Sequence, residues 1–200
     1  MYEPFSTKII TCNGRSHNLS IIDPVNNKLI DSVDVGGKPE TAVSDEAGKI
    51  FVNIEDKNEI VAIDAKTFKV LNHWNLSPAE GPTGLEYDKA TKRLFAGCDK
   101  LLVVMDATNG NIIDKLAIGD GCDGVAVDAG TKNIYTSNGE GTMTVIHEDN
   151  ANKFTVLENI TTKRGARTIS LDKQSHLIYM PTADFEPMEA GQKGRPKMKI

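Results

Sequence analysis

Asp123, Glu140 and Arg167 are the side chains of this sequence best suited to act together. They offer an acid, a base and an electrophilic group, the set that acid–base catalysis uses when a fold brings them together. Lys38, Glu40 and Thr83 are polar residues in comparable glycine- and proline-flanked stretches. The remaining chemistry-bearing motifs are weaker. His17, His73, His147 and His176 form no spaced pair, so no metal site is expected. There is no G-x-S-x-G elbow, and the adjacency of Ser16 and His17 has no catalytic meaning by itself. "GDGCDG", Gly119 to Gly124, fits the dinucleotide pattern G-x-G-x-x-G. That fingerprint needs a helix after it, whereas "VAVDAGTKNIY" reads as strand, turn, strand. Its glycines are therefore read as allowing a tight connector, and no cofactor is expected. Cys12, Cys98 and Cys122 lack a C-x-x-C pair and are read as small buried hydrophobes.

What could bring distant residues together is the fold, and bulk properties bound it. The 200 residues are 39% hydrophobic and 26% charged, the composition of a globular protein. A net charge of -5 argues against nucleic acid as a partner, because phosphate binding needs a basic face. The basic stretch Lys193 to Lys199 reads as a solvated loop. No apolar run is long enough for a membrane span. "MYEPFSTKII" has neither the basic start nor the apolar centre of a signal peptide.

The decisive pattern is a repeat. Asp23, Asp64, Asp106 and the pair His147-Glu148 interrupt apolar runs at steps of about 41, 42 and 41 residues. A second landmark follows the same interval. "AVSDEAGKIFV", "LEYDKATKRLF", "VAVDAGTKNIY" and "ISLDKQSHLIY" each place an Asp (Asp45, Asp88, Asp128, Asp172) ahead of an aromatic residue (Phe51, Phe95, Tyr135, Tyr179). Asp suits a first turn position because its carboxylate accepts backbone N–H groups ahead of it. The runs between are short, β-branched and roughly alternating, with no long helical stripe. Four short strands per unit of this length predict an all-β fold, a β-propeller of four-stranded antiparallel blades. A β-sandwich has no reason to repeat its turns at a fixed interval.

Units such as "VAIDAKTFKV" and "VVMDATNGNI", followed by "GKPE" or "GPTG", resemble the YVTN-type propeller repeat, and the whole chain resembles the YncE-like family. "FVNI" and "YTSN" stand where that family has its literal string. The resemblance implies a bacterial protein, periplasmic or secreted, and a ring of about seven blades. On that reading the chain is one partial propeller with blades at about 1–37 (partial), 38–80, 81–120, 121–164 and 165–200 (partial). It would come from the C-terminal half of a longer protein. "MYEP" matches only the end of an inner strand, and a third strand of the last blade is expected at "KMKI". With no polar cap at either end, such an arc is expected to be open, marginal and prone to edge pairing.

In a propeller the loops entering the inner strands surround one channel mouth. Here they are Lys38-Pro39-Glu40, Gly81-Pro82-Thr83, Gly121-Cys122-Asp123 and Gly165-Ala166-Arg167, with Glu140 on a neighbouring turn. Lys38, Glu40, Thr83, Asp123, Arg167 and Glu140 are thus the ligand-binding candidates, for an unknown small molecule or protein. The preferred reading is a non-enzymatic binding scaffold. The alternative, carried by relatives of the same architecture, is an enzyme such as a sugar lactonase or a quinoprotein-dehydrogenase-like subunit.

Overall fold

A computed structural model describes residues 1–186, 198 and 199. Each apolar run forms a strand that pairs with the next in the chain, giving sheets whose spatial order is their sequence order. Blade 1 comprises β1 (Tyr2–Glu3), β2 (Lys8–Asn13), β3 (Asn18–Asp23) and β4 (Lys28–Asp34). Blade 2 comprises β5 (Pro39–Ser44), β6 (Lys49–Ile54), β7 (Glu59–Asp64) and β8 (Val70–Asn75). Blade 3 comprises β9 (Gly84–Asp88), β10 (Arg93–Gly97), β11 (Leu101–Asp106) and β12 (Ile112–Ala117). Blade 4 comprises β13 (Cys122–Asp128), β14 (Asn133–Asn138), β15 (Thr142–Asn150) and β16 (Lys153–Thr161). A two-stranded sheet follows, β17 (Ser170–Asp172) with β18 (Leu177–Tyr179). This is an incomplete β-propeller. The expected third strand at "KMKI" lies partly outside the described residues; Met198 bridges Phe185 there.

The middle strands read as continuous apolar runs because both faces of a blade are covered. In β6, Ile50 and Val52 pack toward blade 1 while Phe51 between them packs toward blade 3. In β7, Ile60 and Ala62 face one way and Val61 and Ile63 the other. Phe95 does for blades 3 and 4 what Phe51 does for blades 2 and 3. Successive side chains of a strand alternate faces, so one run supplies two cores. The outer strands β4, β8 and β16 have few buried residues. The inner strands of neighbouring blades approach closely: a Cβ on Gly84 would sit 2.8 Å from the Val125 nitrogen.

The repeated aspartates are turn residues, as their spacing predicts. Asp64 Oδ1 accepts the N–H groups of Lys66 and Thr67, and Asp128 Oδ1 those of Gly130 and Thr131. The bonds from Thr67, through backbone and hydroxyl, hold the Asp64 carboxyl below its ordinary value. The chain closes these hairpins with left-handed residues such as Asn27, Phe68, Lys92, Lys132 and His176. Blade 1 carries the same device in a longer side chain. Glu3, fully buried, accepts the N–H groups of Phe5 and Ser6 and also the Ser44 hydroxyl of blade 2. Burial pushes its carboxyl up, but the bonds from Ser6, Ser44 and Phe5 outweigh it and lower the pKa.

Candidate functional site

The connectors into β5, β9 and β13, and the segment before β17, lie against the turns between second and third strands. Backbone bonds hold them there, such as Glu55 N–H to the Lys38 carbonyl, Asp99 N–H to Glu80 and Gly165 N–H to Gly139. The ligand-binding candidates there already have partners, in two cases one another. Lys38 Nζ pairs with Glu40 (2.8 Å) and with Glu55, and its N–H donates to Asp56 (2.7 Å). Glu40 and then Glu55 hold the Lys38 ammonium above its ordinary range. Thr83 donates its hydroxyl to the Cys122 carbonyl of the next blade, 2.5 Å away. Arg167 Nε lies 3.3 Å from Asp123, and the Arg167 carbonyl accepts the Ser137 hydroxyl. Glu140 accepts the Thr142 hydroxyl at 3.0 Å. Gly139 N–H donates to the Gly121 carbonyl and Gly165 N–H to the Gly139 carbonyl, which draws the Asp123, Glu140 and Arg167 segments together. Of these three side chains, Asp123 and Arg167 pair with each other, whereas Glu140 bonds Thr142.

"GDGCDG" runs into β13, a strand, and Gly121 takes φ +67, a left-handed conformation that favours glycine. The cysteines are free. Burial pushes the thiols of Cys98 and Cys122 up to about 12 and that of Cys12 to about 11, which leaves them poor nucleophiles. Among the described residues no three His, Cys, Asp or Glu side chains gather to hold a metal. No helix there is long and apolar enough to cross a membrane.

A cavity of about 580 Å³ opens among the hairpins that join first and second strands. Tyr2 of blade 1, Ser44 of blade 2, Glu86 and Tyr87 of blade 3, Val127 of blade 4 and Lys173 after β17 are among its lining residues. Most charges in it are committed. Asp45 accepts the N–H groups of Ala47 and Lys49, Asp88 those of Ala90 and Thr91, and Glu46 pairs with Lys89 at 2.7 Å. Glu86 is different: among the described residues no other side chain hydrogen-bonds or ion-pairs with it, and only the Tyr87 N–H eases its charge from the backbone. Burial raises its carboxyl pKa, partly countered by the positive charge of Lys173. Val43, Ala126 and Ser170 occupy its place in the other blades, opposite Phe51, Tyr135 and Tyr179 as Glu86 is opposite Phe95. This departure from the repeat was the available sequence signal.

No known family matches the sequence, and neither does any curated protein. The YVTN-type, YncE-like resemblance therefore has no family match behind it. Solved structures agree on the fold. The chain is similar to one in the crystal structure of a mitotic checkpoint complex, with TM-score 0.74 and 11% identity over 86% of this chain and 54% of that one. It is also similar to hydrazine synthase of Kuenenia stuttgartiensis, with TM-score 0.69 and 16% identity over 85% of this chain and 49% of the other. The chain thus spans about half the length of the structures it matches. At such identities the likeness speaks of a propeller-type scaffold and leaves activity to the site.

Proposed function

We propose that this chain is the wall of a small-molecule binding propeller, non-enzymatic and YncE-like, whose ligand enters by the hairpin end of the channel. One observation carries the reading: a half-buried carboxylate without a side-chain partner, Glu86, lines a cavity of about 580 Å³ to which several blades contribute. Subtracting committed charges leaves Glu86 and Lys173, one acid and one base. A small zwitterion, with its ammonium on Glu86 and its anionic end toward Lys173, complements that pair, because charge-assisted bonds are the strong ones in a partly dry site. The connector end supports the reading from the other side, since its candidates already have partners within the chain. The YncE-like reading carries a periplasmic or secreted location with it.

The test is calorimetric titration with ω-amino acids of graded length. Binding that peaks at one length and weakens about tenfold or more in Glu86→Gln is expected. Equal affinity in the variant, or no binding across the series, would overturn the assignment. A lactone panel run beside it addresses the enzyme alternative. Hydrolysis that is lost in Asp123→Ala would replace the binding reading with a catalytic one at the connector end.

A further inference from the structure

A second carboxylate departs from the repeat, at the seam between blades 3 and 4. The N–H groups of Ala65, Ala107 and Glu148 donate to the carbonyls of Gly48, Lys92 and Lys132, the residues that close the first hairpin of each blade. These three positions are therefore structural equivalents. Ala65 and Ala107 are buried, as a small apolar residue should be. Blade 4 places Glu148 there, only 5% exposed, and its Oε1 has no hydrogen-bond partner. A buried carboxylate oxygen without a partner is unfavourable, and Ala65 and Ala107 show that the fold does not need a carboxylate here.

Glu148 borders a cavity of about 90 Å³ with Asp88, Thr91, Val127, Lys132 and Asn150. Asp88, 7% exposed, lies across the seam on the first hairpin of blade 3. Its Oδ2 is taken by Thr91, but its Oδ1 accepts only the Ala90 N–H and keeps a lone pair for a cation. The Thr91 hydroxyl donates to Asp88, so its own lone pairs stay free. Arg93 adds no partner to Glu148: its guanidinium is held by Asp106, the Ala151 carbonyl and Asn152. Lys132 is exposed and pairs with neither carboxylate. The space matches roughly three water molecules at about 30 Å³ each.

We propose that this cavity is a site for a hard divalent cation of the calcium class, bound by Glu148 and Asp88, with Thr91 Oγ1 as a neutral ligand and water completing the shell. An oxygen-only set with two carboxylates selects such ions over zinc or copper. Binding would staple blade 3 to blade 4 across their seam. The inference stands independently of the ligand assigned to Glu86.

The test is titration of chelator-treated protein with CaCl2 and, separately, MgCl2, by calorimetry and thermal melting. One equivalent of Ca2+ should bind and raise the melting temperature. Both effects should fall about tenfold or more, or vanish, in Glu148→Ala and Glu148→Gln. Glu148→Ala reproduces what Ala65 and Ala107 already do, so it should fold. Lys132→Ala should tighten Ca2+ binding by removing a competing charge. No binding of either ion, unaltered binding in both Glu148 variants, or a Lys132→Ala protein that is destabilised with no change in Ca2+ affinity would each overturn the site.

Discussion

Blades 3 and 4 end in hairpins that share a place in the repeat and little else. In blade 3, β11 stops at Asp106, whose Oδ1 takes the N–H and the hydroxyl of Thr108 at 2.8 and 2.6 Å, and the chain turns back through Gly110 at φ +78. In blade 4, His147-Glu148 replaces Asp-Ala, and β15 and β16 run to nine residues each against six in β11 and β12. The turn moves outward to Asn150, which accepts the Asn152 N–H at 2.9 Å. Arg93 makes this possible. Its guanidinium lies 3.1 Å from Asp106, donates to the Ala151 carbonyl at 2.7 Å and reaches Asn152 at 3.0 Å. A repeat fixes the backbone of the unit. One long cation on the preceding blade can still support an exception to it.

The sharpest way to break the comparison is to write blade 4's chemistry into blade 3. Ala107 is 4% exposed and packs in the core shared by blades 2 and 3. Ala107→Glu would bury a charge and overpack that core, and should cost about 3–5 kcal/mol. The urea unfolding midpoint measures this. A loss below about 1 kcal/mol would mean that the position tolerates a carboxylate anywhere in the repeat, and Glu148 would lose its special standing.

Removing the bridge should come next in size. Arg93→Ala leaves Asp106 without its cation and the Ala151 carbonyl without its donor, a change of about 2–4 kcal/mol for a pair so well buried. Arg93→Lys should recover little, because an ammonium cannot span three acceptors in the guanidinium plane. Hydrogen exchange should localise the damage to the ends of β15 and β16. Uniform protection there in Arg93→Ala would show that the extended hairpin holds itself.

The sequence displayed the regular parts of this molecule and concealed the exceptions. Asp64 and its counterparts were legible because a carboxylate leading a turn leaves a fixed interval behind it. Alternating apolar runs were legible because each strand feeds two cores. Glu3 was not, since a glutamate doing the work of an aspartate breaks the literal pattern while keeping the geometry. Glu86 sits inside "GLEYD", and only the orientation of β9 toward the channel separates it from a surface residue. Thr83, Asp123, Arg167 and Glu140 were legible as connector and turn residues. The bonds of Thr83 to Cys122 and of Arg167 to Asp123 depend on how closely segments approach, a distance that no spacing encodes. Arg93 reads as a surface cation until the length of the β15–β16 hairpin is known.

The smallest effect is the most discriminating, because within blade 4 it separates two carboxylates by sign. Asp128 is 2% exposed at its side chain, accepts N–H groups from Gly130 and Thr131, and lies 2.7 Å from His176 Nδ1. Burial pushes its carboxyl up, but the bonds from His176, Thr131 and Gly130 prevail and lower the pKa from 3.8. A depressed folded-state pKa means that the ionised group stabilises above the unfolded value and loses that contribution as pH falls through the folded value. Asp128→Asn should therefore cost about 1 kcal/mol at neutral pH, discounted for the half-exposed imidazole, and progressively less below about pH 4. Glu148 behaves in the opposite sense. Burial first, then the charge of Asp88, raise its pKa above 4.5, so in metal-free protein its ionised form opposes folding as pH rises. The metal-free Glu148→Ala variant should gain on the parent above about pH 4.5 and lose that advantage in acid. Urea midpoints between about pH 3 and 7 should thus diverge upward for one variant and downward for the other. Parallel curves would mean that both carboxylates are ordinary turn residues and that blade 4 is no exception to its neighbours.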